Sequence, residues 1–255
     1  MNAIAYTASR PEGSPTIVLA SSLGTDRTMW RDQLELFPSD WNVVAFDLPG
    51  HGESALSPST PTIDDFADGV ISVVDELGVD TFAFCGLSIG GAIGQSLAAR
   101  YPARVDSLIL ASTGLTILTP TGLRDRSARV LREGTGWIAD LSGTRWFAEA
   151  FQQSHEETVA AHLDHLRRMD PRAYSDACLA LAGFDGSDYA AAITASTLVI
   201  AGEVDHATPP EKSEELAASI SGAQLRLIPG AAHICNVEKP VEFTELVRDH
   251  IVRSR

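Results

Sequence analysis

The chain has 255 residues, 44% hydrophobic and 21% charged, with a mean hydropathy of +0.03. That suits one large globular domain, or one carrying an insertion, and excludes disorder and collagen-like repeats. Its 19 Lys and Arg against 34 Asp and Glu leave a net charge of −15, which opposes extended contact with phosphate backbones or anionic lipid. Neither nucleic acid nor membrane is an expected partner.

The N-terminal stretch MNAIAYTASRPEG has no basic region followed by an apolar run, and the uncharged stretch 107–123 is broken by Ser, Thr, Gly and Pro. With no N-x-Ser/Thr acceptor anywhere, a cytoplasmic protein is expected. In chain order, apolar or β-branched runs stand at 16–21 (TIVLAS), 42–47 (NVVAFD), 81–86 (TFAFCG), 107–112 (SLILAS), 197–202 (TLVIAG) and 224–229 (QLRLIP). Several are apolar at nearly every position, as strands covered on both faces are. Between them lie helical periods, the clearest formed by Ile63, Phe66, Val70, Val74 and Leu77, with Thr62 as N-cap and Gly78 as stop. Alternating strand and helix predicts a mostly parallel α/β sheet with helices on both faces. From about Pro120 to Asp188 the strand runs vanish and helical material takes over. The expected organisation is therefore a core of residues 1–115 and 190–255, interrupted by a helical lid at 116–189.

Directly after TFAFC comes Gly86-Leu87-Ser88-Ile89-Gly90, opening a good helix. This is G-x-S-x-G in the strand-turn-helix setting that makes a serine a nucleophile, with glycines where side chains would collide with the neighbouring strand and helix. A dinucleotide loop wants glycine where Ser88 stands, and no G-K-[ST] follows. A serine hydroxyl needs a base and an acid to orient it, in the chain order Ser, acid, His. Asp205, in the loop after TLVIAG, is the expected acid, with Glu203 behind it; His233, in the loop after QLRLIP, is the expected base. Two backbone N–H groups should hold the oxyanion: that of Ile89, and that of Leu23 in the loop Ser21–Asp26, where Ser22 adds a hydroxyl to the candidate substrate contacts.

The remaining histidines and the cysteines have plainer readings. His51 sits in a tight turn and is expected to make a structural hydrogen bond; His206 follows the wrong strand. His155, His162 and His165 lie in the lid, where the spacing of the last two suits a solvated helix face and no HExxH accompanies them, so no metal is predicted. Cys85, Cys178 and Cys235 are an odd number, widely spaced, and read as buried small hydrophobes.

These residues together resemble the 3-oxoadipate enol-lactonases of the α/β-hydrolase fold, which open a lactone in bacterial aromatic catabolism. The resemblance runs through SSLGTDRTMW, FDLPGHGES, the stretch FCGLSIGGAIGQSLAARYPARVDSLILAST, the lid segments REGTGW and TRWF, then LVIAGEVDHATPP and PGAAHICNVEKP. It departs at Gly136-Trp137, where lids of this family often carry Gly-Met. Carried over by position, Ser88 is the nucleophile, Asp205 the acid and His233 the base. The implied reaction is cofactor-free opening of a small-molecule lactone or ester. A carboxylesterase, a carbon–carbon bond hydrolase or a perhydrolase would use the same triad, and a ligand-binding receptor on this fold could retain it. A carboxylate-bearing lactone needs a local cation in so acidic a chain, and the stretch 116–148 is a basic island. Arg129, Arg132 and Arg145 are the candidate carboxylate readers, with Trp137 and Trp146 as walls that exclude water.

Overall fold

Five apolar runs form strands buried along nearly their whole length: β2 (Thr16–Ala20), β3 (Asn42–Phe46), β4 (Phe82–Leu87), β5 (Val105–Ala111) and β6 (Ser196–Gly202). In this computed structural model, which describes residues 4–9 and 15–254, they pair with β1 (Tyr6–Ala8) and β7 (Gln224–Ile228) in the order β1-β3-β2-β4-β5-β6-β7. Only the β1–β3 pairing is antiparallel among the described strands. The sequence pattern does not predict β1, because its three residues, one half-buried and two exposed, carry no apolar run. The stretch inspected for a targeting signal falls partly on residues 1–3 and 10–14, outside the described residues.

Helices α1 (Arg31–Leu36), α2 (Ile63–Glu76) and α3 (Ile89–Arg100) flank the first strands. The start of α2 is fixed by a capping box in which the Thr62 hydroxyl accepts from Asp65 N while the Asp65 carboxylate accepts from Thr62 N. Between β5 and β6 the chain leaves the sheet and builds only helices: α4 (Pro120–Glu133), α5 (Gly136–Trp146), α6 (Glu149–Ser154), α7 (Glu156–Arg168), α8 (Pro171–Ala182) and α9 (Ser187–Ala190). Here α4 packs on α8, joined by the Ser127–Ser175 hydroxyl pair at 2.7 Å, and α5 packs on α7. Then α10 (Pro210–Ser219), α11 (Cys235–Glu238) and α12 (Pro240–Ser254) complete the layers.

Because β2, β4, β6 and β7 run parallel, the loops at 21–26, 203–209 and 229–234 and the β4–α3 turn all emerge at one edge of the sheet, beneath the inserted helices. In open α/β sheets that carboxyl edge is where ligands bind. All three cysteines are free and buried, and among the described residues no helix is long and apolar enough to cross a membrane.

Candidate active site

Ser88 stands between β4 and α3 with φ +60° and ψ −113°, a left-handed conformation that a non-glycine residue adopts only when its surroundings hold it there. They do so closely. A Cβ on Gly86 would lie 2.0 Å from the Gly90 carbonyl oxygen, and one on Gly90 would lie 2.4 Å from that of Ala20. Glycine at both positions lets the turn fold tightly against β2 and aims Ser88 into a cavity.

Asp205 follows β6 and is 2% exposed. Its Oδ1 accepts from Ala207 N (2.7 Å) and Thr208 N (2.9 Å), which leaves Oδ2 for the Nδ1–H of His233 at 2.8 Å. A proton held on Nδ1 leaves Nε2 as the imidazole's free acceptor. Ser88 and His233 line the same cavity. Glu203, the other acid considered, instead accepts from Gly230 N at 3.0 Å on the exposed side of the loop.

Leu23 and Ser22 line the cavity beside Ser88, in a loop turned by Thr25, whose N and Oγ1 both donate to Ser22 O (3.1 and 2.8 Å). Ile89 opens α3, so its first-turn N–H has no intrahelical acceptor. The cavity holds about 50 Å³. Its remaining walls come from the inserted helices: Ile117, Leu118, Leu123, Ile138 and Leu181 are aliphatic, and Arg126, Arg145, Trp146 and Tyr174 supply polar groups.

The structure thus brings Arg145 and Trp146 to the cavity but not Arg129, Arg132 or Trp137. The physical reason is the facing of α4, which buries Leu123, Ser127 and Val130 and turns Arg129 and Arg132 outward. Arg129 pairs with Glu133 at 2.7 Å and lies over the Trp137 ring at 3.9 Å, so Trp137 packs beneath an arginine on the outside of the lid. Arg132 reaches Glu133 at 3.8 Å and the Ala128 carbonyl. Arg126, not singled out from the sequence, lines the cavity instead.

Among the described residues neither Arg126 nor Arg145 makes an ion pair. Burial, and next the like charge of Arg126, pull the Arg145 guanidinium below its ordinary value. Burial also pushes the Tyr174 phenol up, and the Cys178 thiol up to about 12, so these neighbours stay neutral and supply no counter-charge.

The histidine pair of α7 does not form a solvated face. His162 packs 5.7 Å from the Phe147 ring, and His165 Nδ1 lies 3.3 Å from Asp26 Oδ2, because α7 sits down on α5 and on the loop after β2. Among the described residues no group of His, Cys, Asp and Glu is placed to hold a metal ion. His51 is 1% exposed, with Nδ1 at 3.2 Å from Pro49 O. Burial pulls both His51 and His162 down to about 4. A histidine depressed in the folded chain leaves stability intact above its ordinary value of 6.5, and that stability is lost as pH falls from there through about 4. For His51 the loss is up to roughly 3 kcal/mol. Urea midpoints measured between pH 7 and 4.5 should therefore fall, and His51→Gln should remove its share of the slope; a midpoint that does not move contradicts the buried neutral state.

The profile of the Alpha/beta hydrolase family matches residues 17–246. The chain is 32% identical over 236 residues to 3-oxoadipate enol-lactonase 1 of Acinetobacter baylyi, covering 92% of this chain and 88% of that protein. The solved enol-lactonase of Burkholderia xenovorans LB400 superposes with a TM-score of 0.94 at 32% identity, covering 98% of this chain and 96% of that one. A thermophilic esterase from Thermogutta terrifontis, solved with malate bound, gives a TM-score of 0.91 at 29% identity over 98% and 93% of the two chains. The fold is shared with both solved structures along nearly the whole chain, and the chain belongs to the alpha/beta hydrolase family.

Proposed function

We propose that the protein opens a carboxylate-bearing enol-lactone, 3-oxoadipate enol-lactone to 3-oxoadipate, through an acyl-enzyme on Ser88. The observation that carries this reading is the pair of guanidiniums, Arg126 and Arg145, that line the serine's cavity without an ion-pair partner among the described residues, in a chain of net charge −15. Two half-buried like charges repel each other, and an anionic ligand would relieve both. The similarity to the two enol-lactonases supports the same reading.

Ser88 Oγ attacks the lactone carbonyl as Nε2 of His233 takes its proton, and the N–H groups of Leu23 and Ile89 hold the oxyanion. Collapse breaks the ring ester bond. The departing enol oxygen takes the proton back from His233, and the enol then becomes a ketone. Water, deprotonated by His233, attacks the acyl-enzyme and releases the keto dicarboxylic acid with Ser88 restored. Both proton transfers of ring opening and those of deacylation move through His233, ketonisation of the released enol exchanges its proton with solvent, and the chemistry calls on no cofactor or metal. Residues 116–189 serve as the cap that carries the carboxylate readers.

Arg126→Ala or Arg145→Ala, at least one of them, should raise KM for the enol-lactone by about tenfold or more while changing that for a neutral ester little, since a charged hydrogen bond is worth roughly 1.5 to 3 kcal/mol. Arg129→Ala and Arg132→Ala should be silent on both substrates. Equal losses on both substrates would remove the arginines from carboxylate recognition. A wild-type protein that hydrolyses neutral esters and ignores the enol-lactone would be a carboxylesterase.

A further inference from the structure

Glu238 ends α11, five residues past His233, and is 7% exposed. Its carboxylate is spent on backbone. Oε1 accepts from Ala148 N at 3.0 Å, and Oε1 and Oε2 share Ala232 N at 3.3 and 3.2 Å. Ala232 immediately precedes His233. On the other side, Ile234 N donates to Trp146 O at 3.0 Å. Both residues flanking the imidazole are thereby fastened to one turn of the cap, 146–148, which follows Arg145 and carries Trp146 of the cavity wall. Burial raises the carboxyl above its ordinary value, and the two N–H groups oppose that shift. A buried charge held only by backbone donors is a costly way to fill space, but an effective way to fix two separate chain segments at one point.

We propose that Glu238 is a positioning residue that ties the catalytic histidine to the cap, so that seating the cap and aligning the base are one mechanical event. This rests on His233 being the base. When substrate engages Arg145 and Trp146, the turn they belong to is held, and through Glu238 and Ile234 so is the backbone on either side of the imidazole. A cap lifted from the core would take the Trp146 carbonyl from Ile234 N and the Ala148 N–H from Glu238, and the base would lose its aim at Ser88.

The link can be cut from either end. Glu238→Leu removes both acceptor oxygens from the point where the N–H groups of Ala148 and Ala232 converge. Ala148→Pro removes the cap's donor and puts a ring carbon in the path of the carboxylate. Ala148 already has φ −60°, and Phe147 before it is extended at φ −128° and ψ 137°, so the chain accepts proline without bending. With p-nitrophenyl acetate as substrate, each single variant is expected to lower kcat by about tenfold or more and to keep KM within about threefold, because only alignment in the transition state is lost. The double variant should be no more than about twofold slower than the slower single, since both substitutions break the same connection. Circular dichroism melting verifies that each variant is folded. If Glu238→Leu does not fold, Ala148→Pro alone decides by its kcat. The proposal is overturned by a wild-type kcat in either folded variant, by effects that multiply in the double variant, or by a loss carried in KM. If Ser88→Ala keeps wild-type turnover, the assignment of the triad itself falls; if Ser88→Ala is dead and the Glu238 and Ala148 variants are not slowed, only the tie to the cap falls.

Discussion

Ser88→Ala is expected to fold like the wild type and to lose turnover by at least about a thousandfold. The substitution removes one oxygen from a cavity wall and no apolar contact from the core. Alanine also meets the same left-handed backbone cost that serine already bears at φ +60°, so stability should change little. What disappears is the nucleophile. Backbone donors at Leu23 and Ile89 would still polarise a bound carbonyl, which is why a residual rate above that of water is expected rather than none. The measurement is turnover of an activated ester together with labelling by a fluorophosphonate, which should vanish in the variant. A variant working at the wild-type rate would end the serine mechanism.

Asp205→Asn should be nearly as damaging, by about a thousandfold to ten-thousandfold in kcat, with the fold again intact. The side-chain oxygen of asparagine would keep the hydrogen bonds from Ala207 N and Thr208 N, so its amide nitrogen must face His233. Two donors cannot meet, and Nδ1 has to surrender its proton. The proton then sits on Nε2, on the side that must accept one from Ser88, and the base is blocked by its tautomer. Glu203→Gln tests the alternative directly. Glu203 is exposed and holds only Gly230 N, so its loss should change kcat by less than about twofold. A silent Asp205→Asn beside a crippled Glu203→Gln would exchange the two assignments.

Legibility in the sequence tracked how local the determining physics was. The serine turn was readable because strand, glycines and helix lie within about twenty consecutive residues, and the same steric contacts that shape the turn select its residues. The pairing of Asp205 with His233 was readable because each follows a strand at the sheet's carboxyl edge, where the structure brings them to 2.8 Å. The lid was a different problem. That Arg129 and Arg132 share a face of α4 follows from helical spacing, but which face turns inward depends on α8 packing from the other side. The inward stripe of Leu123, Ser127 and Val130 was the available signal, and Arg126, between the first two, sits at its edge. Trp137 looked like a wall because tryptophans usually fill pockets; here an arginine from the neighbouring helix covers it from outside. His162 and His165 were misread as solvated because nothing in their own segment announces that Phe147 and Asp26 come to meet them.

The cap departs from the end of β5 and returns at the start of β6, and these strands are adjacent, with Ser107 opposite Ser196. The excursion leaves and re-enters the core through neighbouring chains only about 5 Å apart across the sheet, one strand length from end to end. Closing so long a loop between points already held by the sheet adds little entropic cost as its length changes. Lineages can therefore lengthen, shorten or replace the excursion without moving a strand or disturbing Ser88, Asp205 and His233, and substrate preference can drift while the reaction persists. The freedom has one limit in this chain: whatever helices are inserted must still deliver a backbone N–H to the oxygen of Glu238 and a carbonyl to Ile234, or the new pocket would be built over a histidine loop that is not tied to it.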